Sequence, residues 1–138
     1  MTTISEMMTA DHRTCDRCFA AAEEAVADGD WSRAEGAWSR FFRVLEKHIN
    51  GLEEELLFPA FEEVNGAAGP TRIMRMEHDQ IRFLAGRIRA ALADRDQSTV
   101  LGLSETLMLL MQQHNMKEEQ ILYPLMDRSI ADVADMVV

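Results

Sequence analysis

At 138 residues and 15.7 kDa the chain has the size of one ordinary domain, which predicts a single domain over 1–138 and excludes a large multidomain enzyme. A hydrophobic content of 47% beside 28% charged residues is enough to bury a core and too apolar for a disordered chain. The 24 acids against 14 bases leave a net charge of -10, which would repel a phosphate backbone and argues against nucleic acid as a partner.

Only 7 glycines and 3 prolines punctuate the chain, and helix-forming residues dominate. The breaks fall at Asp28-Gly29-Asp30, Asn65 to Pro70 and Asp94 to Ser98, leaving four long segments. The first carries Ile4, Met8, His12, Cys15, Phe19, Ala22 and Val26 at alternating spacings of three and four, one face of a helix. Thr3 with Glu6 reads as its capping box. The second, capped by Asp30, does the same with Trp31, Ala34, Trp38, Phe41, Leu45, His48 and Leu52. In the third, opened by Pro70, the stripe is Met74, His78, Ile81, Ala85, Ile88 and Leu92. In the fourth, for which Ser98 is the expected cap, it is Val100, Leu103, Leu107, Leu110 and His114. Short links between amphipathic helices predict an all-α, antiparallel up-down-up-down four-helix bundle.

Cys15 and Cys18 are too few and too close for a disulfide framework, and Met1 to Met8 lacks the pattern of a secretory signal, so a reducing, cytoplasmic location is expected. The longest apolar run, Leu107 to Met111, is far short of a membrane span. Cys15 reads as a small buried hydrophobe, with a second possibility that its thiol lies close to a metal. The arginines of the third segment (Arg72, Arg75, Arg82, Arg87, Arg89) read as charge balance within the chain.

The four histidines reveal a repeat. His12 and His48 are 36 residues apart, and so are His78 and His114. An acid precedes each first histidine (Asp11, Glu77), and a matching block follows each second one: Glu53-Glu54-Glu55-Leu56-Leu57-Phe58-Pro59 and Glu118-Glu119-Gln120-Ile121-Leu122-Tyr123-Pro124. Each histidine lies on the apolar stripe of its own helix, and all four lie about 26 to 29 Å from the end that holds both hairpin turns. They converge on one level of the core. Four neutral rings at one depth call for a cation that takes one nitrogen of each while the other nitrogen donates to an acid or carbonyl.

Carboxylates occur at suitable positions. Glu118 follows His114 by four residues and shares its face. Glu53 follows His48 by five, which in a regular helix turns it about 140° away. The surplus residue coincides with Asn50-Gly51, so a π-bulge is expected there to return Glu53 to the inner face; without it, Glu55 would be the better ligand. Four histidines and two carboxylates suit two metal ions, and this donor set fits Fe, Mn or Zn better than Mg or Ca. Leu57-Phe58-Pro59 and Leu122-Tyr123-Pro124 read as packing and helix-end signals, with an approach of Tyr123 to the site as the lesser alternative.

Together, Asp11-His12, His48 with the Glu53 to Pro59 block, Glu77-His78, and His114-x-x-x-Glu118-Glu119-x-x-Leu122-Tyr123-Pro124 resemble the hemerythrin-like (HHE cation-binding) domain over nearly the whole chain. The resemblance implies a four-helix bundle with a non-haem diiron centre, its irons bridged by oxide or hydroxide, that binds O2, NO, peroxide or a related small ligand. It implies His12, His48, His78 and His114 as terminal ligands and Glu53 and Glu118 as bridges. One departure is Met74, which stands where oxygen-carrying hemerythrins have a further histidine; a nearby acid such as Glu54, Glu77 or Glu119 is then the alternative ligand, or a position stays open. A diiron oxidase or peroxidase and a metal-free helical interaction module are the rival readings. A ferritin-like carboxylate site does not fit, because the chain has no Glu-x-x-His pair.

Overall fold

The computed structural model describes residues 2–137; Met1 and Val138, at the two ends of the expected domain, lie outside it. The chain is an all-α bundle of two helical hairpins. In the first, α1 (Ile4–Ala27) packs on a long second rod formed by α2 (Trp31–Glu46), a π-helical stretch (Lys47–Leu57) and α3 (Phe58–Asn65). In the second, α4 (Pro70–Ala93) packs on α5 (Gln97–Lys117), which continues through a π-helical turn (Glu118–Leu122) into α6 (Tyr123–Ser129). A 3-10 turn (Ala131–Val133) and α7 (Ala134–Val137) follow, and α7 folds back on α1. No helix among the described residues is long and apolar enough to cross a membrane.

The turns fall where the breaks do. Gly29 takes a φ of 70° after α1, a left-handed backbone that suits glycine, and Arg95 takes 51° at the corresponding turn of the second hairpin. Thr3 accepts from Glu6 N at 3.0 Å and Asp30 from Arg33 N at 3.1 Å, as expected of N-caps. The cap of α5 is Asp96, not Ser98: its carboxylate accepts from Thr99 N at 3.2 Å and from the Thr99 hydroxyl at 2.6 Å, starting the helix at Gln97. Both residue types satisfy the capping rule, and Asp96 comes first in the chain.

Buried side chains form two apolar clusters. One, near the hairpin turns, is built on Phe19, Trp38, Phe41, Phe42, Ile81, Ile88 and Leu107, with edge-to-face packing of Trp38 on Phe41 at 5.6 Å between ring centres. The other gathers Ile4, Met8, Leu57, Phe58, Phe61, Met74, Leu122, Tyr123 and Met126. His12 lies between Met8 and Cys15 on α1, and His78 lies between Met74 and Ile81 on α4, so the histidines stand where the two clusters meet. The arginines of α4 serve charge balance within the chain in part: Arg75 pairs with Glu62, Arg82 with Glu54, and Arg89 lies 4.2 Å over the Phe42 ring.

Candidate metal centre

The two π-helical stretches build the site. In such a stretch the backbone bonds close from residue i to i+5, as Phe58 N to Glu53 O and Tyr123 N to Glu118 O do here, so residues five apart share a face. That aligns His48, Glu53 and Phe58, and likewise Glu118 and Tyr123. Pro59 and Pro124 each sit two residues after the last residue of their stretch. A proline ring clashes with the carbonyl four residues back in an α-helix and supplies no N–H, which favours a wider preceding turn. The expected bulge therefore exists and carries Glu53 fully inside. Glu55 is exposed and accepts from Asn50 Nδ2 at 3.1 Å, so the alternative ligand points away. The turn at Glu118–Leu122 leaves no mark in the ligand spacing, because His114 and Glu118 already have α spacing.

Six polar side chains meet at the expected depth, each no more than 4% exposed: His12, His48, Glu53, His78, His114 and Glu118. Ligand atoms of Glu53, His78, His114 and Glu118 lie within 4.8 Å of one another, and so do those of His12, His48 and Glu118. Glu118 belongs to both sets. His12 Nε2 stands 3.0 Å from His48 Nε2 and 3.1 Å from Glu118 Oε1. His78 Nε2 and Glu53 Oε1 approach to 3.0 Å without forming a hydrogen bond.

Every ring is held from behind by a carboxylate. His12 Nδ1 donates to Glu119 at 2.7 Å, His48 Nδ1 to Asp11 at 2.5 Å, His78 Nδ1 to Glu54 at 2.7 Å and His114 Nδ1 to Glu77 at 2.8 Å. Three of these acids are anchored in turn: Glu54 by both terminal nitrogens of Arg82, Glu77 by Lys117 and Glu119 by Arg13. Glu54, Glu77 and Glu119, considered as substitutes for the missing histidine, thus occupy the outer nitrogens instead of the inner face. Asp11 completes the set. Two pairs lie within a repeat (Asp11 with His48, Glu77 with His114) and two cross between repeats (Glu54 with His78, Glu119 with His12).

The inner atoms test whether an ion fits. Fixing each Nδ1 as donor leaves the Nε2 lone pair of a neutral ring facing inward. Among the described residues, the buried side-chain atoms without a hydrogen-bond partner are Glu53 Oε1, His78 Nε2, His114 Nε2, Glu118 Oε2 and Trp38 Nε1; four of these five face the site. Unpaired buried polar atoms are rare and each cost a desolvation penalty. Clustered here, they match the open side of a coordination shell.

Among the protein groups alone, protons must compensate the buried charge. Burial opposes the charged form of His48, yet Glu53 and the bond to Asp11 outweigh it and push its pKa up to about 10. His114 is driven up to about 9 against the same burial, by Glu118 and then Glu53. Glu53 is raised by burial and by the charge of Glu118. For Glu118, burial is overcome by the neighbouring Glu53 carboxyl and then by His114, so its pKa is lowered. A cation bound at the inner atoms would displace these protons.

Tyr123, the lesser alternative of the sequence reading, lies in the site. It is fully buried, with its hydroxyl 2.7 Å from Glu53 Oε2, 2.9 Å from Glu118 Oε1, 3.2 Å from His12 Nε2 and 3.4 Å from His48 Nε2. Its counterpart in the repeat, Phe58, stacks on His78 with 5.4 Å between ring centres. Cys15 and Cys18 are free and buried, and burial pushes the Cys15 thiol up to about 12, against the character of a reactive thiolate.

Comparison with protein families matches residues 3–126 to the Hemerythrin HHE cation binding domain. No curated protein and no solved structure matches the chain. The family match spans all four histidines and both buried glutamates, and the chain belongs to the hemerythrin HHE cation-binding domain family.

Proposed function

We propose that this chain is a non-haem diiron protein that binds or senses a small ligand such as O2, NO or peroxide, or iron itself. His12, His48 and Glu118 would hold one ion, and Glu53, His78, His114 and Glu118 the other. The observation that carries this reading is the convergence of imidazole nitrogens and carboxylate oxygens that lie buried without partners among themselves. Imidazole with carboxylate suits iron, manganese or zinc, and would not select calcium or magnesium. Bound iron would supply Lewis-acidic, redox-active positions for a small ligand.

The chain's own residues define the rest. The four outward carboxylates hold each ring in one tautomer and orientation, and Arg82, Lys117 and Arg13 hold three of those carboxylates. Met8, Phe58, Met74 and Leu122 wall the site with apolar surface, which keeps bulk water out and strengthens every electrostatic interaction inside. Glu118 joins the two sets of ligands, so the two positions are linked through one side chain.

The test is elemental analysis of protein purified without chelator, with near-ultraviolet absorption recorded before and after exposure to air. About two irons per chain and an air-dependent charge-transfer band are expected. Stoichiometric zinc alone, or no metal, would overturn the diiron assignment.

A further inference from the structure

The two halves of the site are unequal at one position. Where the first repeat has Phe58, the second has Tyr123, whose hydroxyl faces four inner atoms, His12 Nε2, His48 Nε2 and Glu118 Oε1 of one ligand set and Glu53 Oε2 of the other. A phenol has one proton and can donate it to only one of them. The other three approaches then need protons carried by the neighbouring rings or carboxyls, or a cation among them.

The spacing agrees. Ligands bound about 2.1 Å from one ion stand about 3.0 Å apart at right angles and about 3.4 Å apart in a tetrahedron. The hydroxyl oxygen lies 2.9 Å from Glu118 Oε1, 3.2 Å from His12 Nε2 and 3.4 Å from His48 Nε2. His12 Nε2 lies 3.0 and 3.1 Å from His48 Nε2 and Glu118 Oε1. Five of the six separations among these four atoms are those of neighbours in one shell, and the sixth, His48 Nε2 to Glu118 Oε1 at 4.0 Å, fits a wider angle at the ion.

The opposite side offers no such oxygen. Phe58 covers His78 with a ring that has no donor atom, and Met74 is a thioether four residues before His78. A surface cleft of about 180 Å³, lined by Pro70, Ile73, Met74, Lys117, Ile121 and Leu122, opens beside this half. Its lining is mainly apolar, which suits a small uncharged molecule.

We propose that the Tyr123 oxygen is a protein ligand of the ion held by His12, His48 and Glu118, and that the ion at His78 and His114 is the one that takes an external ligand. This rests on the two-ion reading above. Coordination replaces the O–H bond by a bond to the metal, and the proton leaves to solvent. With Tyr123 each ion has four protein donors, and the cleft beside Met74 marks the His78 and His114 side as the one a small molecule reaches.

The chain has one tyrosine, so any tyrosinate signal comes from Tyr123. The experiment loads the full chain with iron in air and records visible absorption and resonance Raman spectra, alone and with azide as the added ligand. Expected are a phenolate-to-iron charge-transfer band with enhanced phenolate ring vibrations, their loss in Tyr123→Phe with two irons retained, and their persistence when azide binds. Two irons without phenolate vibrations in the wild-type chain would overturn the inference and leave the diiron reading standing. Loss of the phenolate vibrations on azide addition would overturn the division of roles between the ions. Absence of bound iron would overturn the diiron reading itself. The wild-type spectra decide these points even if Tyr123→Phe fails to fold.

Discussion

Glu54→Ala isolates what the outward carboxylates contribute. It removes the acceptor that His78 Nδ1 meets at 2.7 Å and leaves a fully buried ring whose donor has lost its protein partner. Arg82 is not stranded by the change, because Glu46 at 3.5 Å and Asp79 at 3.6 Å remain as partners. The loss therefore concentrates on one ring. An unpaired buried donor costs about 1–3 kcal/mol, and removing the carboxylate behind a ligating imidazole lowers metal affinity about 10–100-fold. The latter corresponds to about 1.4–2.7 kcal/mol. Only His78 loses its partner, so one of two bound ions should weaken while the other keeps its wild-type affinity. Anaerobic iron(II) binding against a graded chelator, with circular dichroism as the check on folding, measures this directly. Glu54→Gln, whose amide oxygen can still accept, should lose less. A folded Glu54→Ala variant that holds both ions as tightly as the wild type would refute the claim that these acids tune the rings.

Two further substitutions test the frame around the site. Gly51→Ala adds a Cβ whose nearest neighbour is Lys47 Cγ at 4.0 Å, so it should fit the π-helical stretch and raise stability by roughly 0.5–1 kcal/mol in urea unfolding; destabilisation would show that the wide turn demands glycine. Glu62 is held below its ordinary carboxyl value of 4.5 by its bonds to Arg75 and then Thr71, against a smaller opposing effect of burial than that of Arg75. A depressed native pKa gives stability that is present above the unfolded value and lost as pH falls through the native one. The melting-temperature gap between wild type and Glu62→Gln should therefore be positive at neutral pH and shrink in acid, and a gap independent of pH would contradict the pairing.

Much of the site was legible because it depends on helical period. Nearly equal distances of the four histidines from the turns place them at one depth, and the surplus residue between His48 and Glu53 calls for a widened turn. What stayed hidden depends on neighbours across space. Asp11 and His12 are adjacent in sequence, but successive residues on a helix point about 100° apart, so the acid serves a ring on the next helix. The same holds for Glu77 and His114. The second π-helical turn left no trace in the spacing of its ligands; its sign is Pro124, which reads equally well as an ordinary helix boundary. Tyr123 was obscured for that reason, since five residues from Glu118 along an α-helix would have carried it to another face.

The carboxylates that cross between the repeats also govern how the hairpins can assemble. Apolar helix faces tolerate slippage, because leucine, methionine and alanine fill one another's grooves in more than one offset. A slide of one turn, about 5.4 Å, would part Glu54 from His78 and Glu119 from His12. It would leave charged and polar groups facing methionine and phenylalanine with no partner and no water. The polar layer therefore acts as a key between two nearly equivalent halves. It permits one registration of hairpin on hairpin and penalises the offsets that a uniformly greasy interior would accept.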